Sequence, residues 1–421
     1  MKNSKKIYKV DDRLPFSLLF PLSIQHTFAM FGASVLVPIL FKINPGIVLL
    51  MNGVGTLLFI LITKKKAPAY LGSSFAFLAP GTAIIASKGF EYAQGAFIVV
   101  GLIGCLLAYI IYKFGIGWID VVLPPAAMGA VVALIGFELA GNTVTGGSIG
   151  ANLMTDTASA KDFFVFAITL FTAIIGSVAF KGFFSTIPIL ISIIVGYLCA
   201  VFFGMVDFTP VREASLFTIP NFSAPKFSME AILSMLPVIL VITSEHISHQ
   251  VVTSNIIGRN LLEDPGLHRS IFADNFSSAL SGLVGGVPTT TYGENIGVMA
   301  ITGVYSVQVI AMAAVISIIM AFFGPLAALI QTIPGDVIGG VTFLLYGMIG
   351  TSGIRLLVDQ KVDYSKSINL VLTSTIFIAG LSGLSLKLGS IELSGMVLAS
   401  VVAVVLSVFL TLLRKLNLIN E

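Results

Sequence analysis

The stretch Val287-Pro-Thr-Thr-Thr-Tyr-Gly-Glu-Asn-Ile-Gly-Val298 lies between two long apolar runs in a chain that otherwise avoids charge. Pro288 precedes three threonines and a tyrosine, all β-favouring, and Gly293 closes the run before ENIGVMAITGV resumes a helical pattern. So short an extended segment cannot cross a bilayer core of about 30 Å. Unwound backbone at membrane depth is tolerated only where it is buried in protein or lines a cavity. The stretch therefore predicts a span broken inside the membrane, with a binding site at the break.

The rest of the chain supports a membrane setting. Of 421 residues, 56% are hydrophobic and 10% charged, and the mean hydropathy is +1.02, far from that of soluble domains. Apolar stretches recur from Leu14 to Leu413, about fourteen in all at about 20 residues per crossing. Their expected limits are 15–41, 44–62, 69–88, 93–114, 121–140, 163–181, 184–206, 229–257, 267–286, 288–303, 304–323, 328–351, 366–385 and 391–413. The N-terminal MKNSKKIYKVDDR is basic and lacks a small-residue cleavage site, which reads as a retained cytosolic tail. With that end inside, Lys2, Lys5, Lys6, Lys9, Arg13, Lys64, Lys65, Lys66, Lys113, Lys181, Arg259, Arg269, Arg355, Lys361, Lys366, Arg414 and Lys415 all fall on the cytosolic side. Both termini of a protein of the cell (inner) membrane are then cytoplasmic, and the number of spans is even.

Orientation explains these basic residues more simply than nucleic acid, for which stacking aromatics in a polar groove would be needed. Cys105 and Cys199 sit inside apolar runs and read as packed free thiols. No metal, cofactor or phosphate-cradling motif is apparent.

The polar segment 207–228, rich in Pro and Ser, falls near the middle of the chain and divides it into 1–206 and 229–421, seven spans each. Pro21 matches Pro237, Pro124 with Gly129 matches Pro334 with Gly339, and Ser-Ser-Phe at 73–75 matches Thr-Tyr-Gly at 291–293. Because seven is odd, the second copy enters the membrane from the opposite side, so the repeats are inverted. The fold class expected is an all-α polytopic membrane protein in which spans 3 and 10 are broken by short antiparallel strands. Broken spans at matching positions of inverted halves point to a transporter site, where free amides and half-helix N-termini face a ligand.

Buried acids are sparse in such chains and usually functional. Glu294 starts the half-helix after the break, and Glu245 lies inside LPVILVITSEHISHQVV. His249 follows Glu245 at i+4, on the same helix face and within hydrogen-bonding reach. A buried ion pair fixing helix packing is the structural alternative for this pair. His246, about 100° round the helix, is expected to pack. Glu138, Glu392 and Asp274 are expected as wetted residues near span ends, and His268 as a loop residue. Two carboxylates accept hydrogen bonds, while amides near Phe75 and Gly293 donate them. A flat neutral molecule with alternating N–H and carbonyl groups, such as uracil, suits that inventory, and Phe75 or Tyr292 is placed to cover its face.

The chain resembles the nucleobase–cation symporters of the nucleobase–ascorbate transporter group along nearly its whole length. Glu294-Asn295-Ile296-Gly297-Val298-Met299-Ala300-Ile301-Thr302-Gly303 fits that family's pattern at each fixed position, Gln25-His26 matches its Gln-His pair, and SEHISHQ resembles the uracil permease version of span 8. The resemblance implies that Glu245 and Glu294 hydrogen-bond a base and that the amides of Phe75 and Gly293 bind its carbonyls. It also implies that His249 joins Glu245 in proton coupling and that His26 supports the site. It implies a core domain of spans 1–4 and 8–11 rocking against a gate domain of spans 5–7 and 12–14, and a homodimer through the gate.

Glu245 and His249 are expected to titrate as a coupled pair, so that uracil enters with a proton by alternating access. Gly129, Gly136, Gly339 and Gly347 are expected to allow close helix approach in the gate. An anion channel or exchanger of the same fold is the competing expectation, and it would need a basic site where this chain has acids. A membrane enzyme would need a nucleophile or metal set beside Glu245 and His249.

Overall fold

The computed structural model describes residues 7–115, 117–144, 150–389 and 391–418. Lys2, Lys5 and Lys6, expected on the cytosolic surface, lie outside the described residues. Two long helices open the chain, α1 (Phe16–Phe41) and α2 (Pro45–Ile62). Pro45 occupies the first position of α2, where an N–H would have no helical partner anyway, and Asn44 accepts from the Gly46 amide at 2.7 Å. The chain then runs as β1 (Leu71–Ser73), makes a 3₁₀ turn at Phe75–Phe77 and continues as α3 (Leu78–Lys88). Next come α4 (Phe90–Phe114), α5 (Ile119–Val122), α6 (Pro125–Leu139), α7 (Ala160–Ala179), α8 (Pro188–Phe202) and α9 (Thr209–Glu213).

Beyond the polar middle segment lie α10 (Met229–Met235) and α11 (Val238–Ile257), which meet at Pro237, and then α12 (Leu267–Val284). β2 (Thr289–Thr291) leads into α13 (Gly293–Thr302), α14 (Val307–Ala321), α15 (Gly324–Gln331), α16 (Gly335–Asp359) and α17 (Ser367–Leu381). A hairpin of β3 (Ser385–Leu388) and β4 (Ile391–Ser394) precedes α18 (Gly395–Lys415). Among the described residues, 7 helices are long and apolar enough to cross a membrane, and further apolar helices run 10–17 residues.

The break expected at 287–298 is present. β2 pairs antiparallel with β1, matching Leu71 with Thr291, Gly72 with Thr290 and Ser73 with Thr289. Every residue of both strands is buried. Thr289 to Thr291 thus hand their backbone groups to a partner strand rather than to lipid, which is the condition for leaving a helix at this depth. The 3₁₀ turn and α3 continue one strand and α13 the other.

Several expected limits move, two of them through a change of structure. The run expected at 328–351 divides, because Pro334 caps a new helix at Gly335 and leaves α15 as a separate short piece. The run expected from 391 starts four residues later, because 391–394 pairs with 385–388 as a hairpin.

Helices in a bilayer gain little from hydrophobic association, so small residues that let backbones meet decide the packing. In α4, Gly101 leaves room for the Asn275 carbonyl and Ala279 of α12, and Gly104 for the Asn275 side chain. Between α6 and α16, Gly136 lies against the Tyr346 carbonyl and Gly350, while Gly129 meets Leu357 and the Gly353 carbonyl. Gly339 lies against the Thr143 carbonyl and Ala151. Gly347, expected to pack in the same way, faces open space.

Candidate functional site

The site begins where the strand pair ends. Tyr292 is extended and precedes the first turn of α13, whose first helical bond runs from the Ile296 amide to the Tyr292 carbonyl at 3.3 Å. The amides of Gly293, Glu294 and Asn295 therefore have no carbonyl within their own helix. On the other strand, Ser74 donates to the Pro288 carbonyl at 2.8 Å, and Phe75 is the next residue beyond the ladder. Both predicted amide donors thus lie at the step from strand to helix.

Tyr292 is held more tightly than expected. Its hydroxyl donates to the Ser73 carbonyl at 2.8 Å, and its ring occupies the space that a side chain at Gly72 would need. At 4% exposed, it braces β2 against β1 and is not free to swing over a ligand. Phe75 is buried and meets Tyr346 of α16 edge-on, with centroids 6.1 Å apart. Tyr346 is a neighbour of the site that periodicity alone gave no means of finding.

α11 supplies the side of the site. Glu245 and His249 are half-buried on one face of the helix; Glu294 is also half-buried, and Gly293 is exposed. The expected Glu245–His249 hydrogen bond gives way to a different one. His249 pairs through Nδ1 with Thr291 Oγ1 at 3.0 Å, while its Nε2 lies 3.4 Å from where a Cβ on Gly293 would stand. A side chain at 293 would press on that ring, so the approach of α11 to the break favours glycine there. One oxygen of Glu245, Oε2, is buried with no hydrogen-bond partner among the described residues.

Asp274, expected at a wetted boundary, is instead buried at 2% exposed and pairs with His246 Nδ1 at 3.3 Å. The polar face of α12 turns inward onto α11 and α4, which is why its aspartate is far from water. His246 thus packs, as expected, but against a carboxylate. Glu138 is half-buried and accepts from the Met396 amide at 2.8 Å at the start of α18, whereas Glu392 is exposed on the hairpin.

His26 reaches the site from α1. Asn295 Nδ2 lies 3.1 Å from His26 Nδ1 and donates to the His26 carbonyl at 3.2 Å. Because the amide nitrogen is a donor, Nδ1 must accept and the ring proton belongs on Nε2. The neighbouring Gln25 binds Thr186 Oγ1 at 2.9 Å. The structure therefore gathers Phe75, Glu245, His249, Tyr292, Gly293 and Glu294 around one break, with His26 one residue behind through Asn295. Thr291, Asn295 and Tyr346 are the members not singled out beforehand; the first two lie inside the opening stretch.

Chemically, the site offers carboxylate acceptors and main-chain donors with no lysine or arginine among these residues. No group of three or more His, Cys, Asp or Glu side chains able to hold a metal occurs among the described residues.

A family model described as Permease family matches residues 18–389. A uracil permease of Paenibacillus larvae is 50% identical over 418 residues, covering 99% of each chain. A uracil permease of Escherichia coli strain K12 is 51% identical over 415 residues, covering 98% of this chain and 96% of that one. Among solved structures, the transmembrane domain of the cyanobacterial bicarbonate transporter BicA superposes with a TM-score of 0.66 at 15% identity, covering 96% of this chain and 100% of that one. At that identity the likeness speaks for the fold alone.

Proposed function

We propose, since the chain belongs to the nucleobase:cation symporter-2 permease family, that it carries uracil through the membrane together with a proton. The observation that supports this best is the acidic pair Glu245 and Glu294 beside the Gly293 amide, which has no carbonyl within its own helix. Uracil presents two N–H donors and two carbonyl acceptors in one plane, so carboxylates and amides are both needed. In this reading Glu245 and Glu294 accept from the ring N–H groups, and the amides of Phe75 and Gly293 donate to its carbonyls. His26 holds α13 in place through Asn295.

Coupling follows from charge. A site that offers two carboxyl groups, Glu245 and Glu294, binds a neutral ligand best after one negative charge is cancelled. A proton taken up at Glu245 and His249 does this, and ligand and proton then favour the same state. An anion exchanger is not favoured, because an anion would meet these acids with no fixed cation among the site residues.

The reading extends to fourteen spans in two inverted repeats, 1–206 and 229–421, joined by 207–228. Adding the polar α12 and the short α13 to the long and shorter apolar helices gives that number of elements. The β1–β2 pairing of matching positions is the feature most in keeping with an inverted repeat. Spans 1–4 and 8–11 would form the moving core and spans 5–7 and 12–14 the gate, with two copies meeting through the gate. Both termini lie in the cytoplasm in this orientation, and the membrane is the inner one.

Uptake of labelled uracil into vesicles, with and without an imposed inward proton gradient, tests the proposal. Gradient-driven accumulation that disappears in Glu245→Gln is expected. Uptake indifferent to both changes would overturn proton symport.

A further inference from the structure

Residues 8–14, before α1, are neither free of the rest of the chain nor part of any span. Tyr8 pairs in parallel with Val304, in the connection that follows α13. The Tyr8 amide donates to the Gly303 carbonyl at 2.9 Å, and the Tyr305 amide donates to the Tyr8 carbonyl at 2.8 Å. The Val307 amide donates to the Val10 carbonyl at 3.1 Å. Side chains continue the seam: Ser306 Oγ donates to the Asp12 carbonyl at 2.7 Å, and the Leu14 amide to Gln308 Oε1 at 3.0 Å. Leu14 and Leu19 share an apolar cluster with Val304 and Val309. Asp11 meets Arg259, just past the Gly258 that ends α11, at 2.6 Å.

The connection after α13 is irregular backbone, beginning at Gly303 with φ 72°. Its amides and carbonyls need partners, and residues 8–14 supply them as a strand would. α13 has ten residues, so it spans about 15 Å. Its far end carries Gly293 and Glu294. Fixing the near end therefore fixes the tilt of the half-helix that forms the binding site, and Asp11 ties the same strap to the helix bearing Glu245 and His249.

We propose that residues 8–14 are a positioning strap for substrate binding, holding the inner ends of α13 and α11 in register so that Glu294 and Gly293 face Glu245 and His249. The proposal goes beyond the transport reading and rests on it only for the identity of the ligand. Most of the hold is in main-chain bonds. The Asp11–Arg259 pair is 64% and 40% exposed, and such surface pairs contribute little alone.

The test compares the parent chain with a variant lacking residues 7–12, with Tyr8→Pro, which removes the donor to Gly303, and with Asp11→Arg, Arg259→Asp and their combination. Each is measured for membrane insertion, for uracil uptake kinetics and, without uracil, for hydrogen exchange in 293–302. For the deletion and Tyr8→Pro, KM is expected to rise about five- to ten-fold, with maximal rate per inserted molecule preserved and exchange in 293–302 faster than in the parent. The single charge reversals should raise KM about two-fold and the double reversal restore it. Unchanged exchange in 293–302, or a loss confined to maximal rate, overturns the strap. If the deletion fails to insert, Tyr8→Pro decides by the same measures. Because exchange needs no ligand, a parent that fails to take up uracil would count against the transport reading and leave the strap to be judged by exchange.

Discussion

At Glu245 the proposed role and the geometry meet: the carboxylate is proposed to accept from the ligand, and one of its oxygens is buried with no hydrogen-bond partner among the described residues. Glu245→Gln keeps the shape and the lack of charge of the proton-loaded site but can neither take up nor release a proton, so uracil binding should weaken only about two- to ten-fold, as for one altered neutral hydrogen bond, and lose its dependence on pH. Calorimetry on purified protein measures it. Thr291→Val deletes the hydroxyl that orients His249 and should raise the uptake KM about three- to ten-fold without loss of insertion. If a proton accompanies each uracil, the initial rate must fall as external pH rises through the neutral range, because fewer sites are then loaded with a proton. In Glu245→Gln the residual uptake should be flat over that range. Much of this was legible in advance, because Glu245, His249 and Glu294 are polar residues where polarity is penalised. What stayed hidden was partner choice: spacing placed His249 beside Glu245, but only the tertiary approach of β2 to α11 shows that Thr291 takes its Nδ1. Asp274 was misplaced for a related reason, since a position near a helix start says nothing about what packs over it.

Among elements, α6 and α16 show how closely backbone geometry is set by glycine. Gly136→Ala would drive a methyl into the Tyr346 carbonyl and Gly350, and overpacking of this kind destabilises by about 1 to 3 kcal/mol. Gly347→Ala meets nothing within 4 Å and improves helix propensity, so it should be neutral or stabilising by about 0.5 to 1 kcal/mol. Thermal unfolding in one detergent compares the two directly. The glycines looked alike in the sequence; only their neighbours separate them. The start of α2 was well marked by Asn44 and Pro45, whereas the runs expected from 121 and 184 began four residues ahead of the helices that start at Pro125 and Pro188. Limits were poorly marked at 328–351 and 385–394, where apolar composition continues through a change of structure and pattern gives no signal.

For the whole molecule, alternating access requires a seam along which two bodies part. A cavity of about 280 Å³ lies between the α3–α10 side and the side formed by α6, β4 and α18, bordered by Ser87, Glu230, Glu138 and Ser394. Lys88 and Glu230 pair on one wall at 3.0 Å, and Glu138 grips the start of α18 on the other. If this is the outer seam, tethering Ser87→Cys to Ser394→Cys with a short bifunctional reagent, in a chain with Cys105 and Cys199 replaced, should stop uptake, whereas labelling either cysteine singly should not. Cleaving the tether should restore transport. The β1–β2 ladder carries a different consequence, for biogenesis. A pocket whose floor is sewn from segments more than two hundred positions apart cannot mature while the ribosome is still working on the N-terminal portion, so that portion must wait, inserted but unfinished, for its complement. Fragments 1–206 and 207–421, synthesised separately in one cell, are each expected to be silent and to regain uptake only when they find one another.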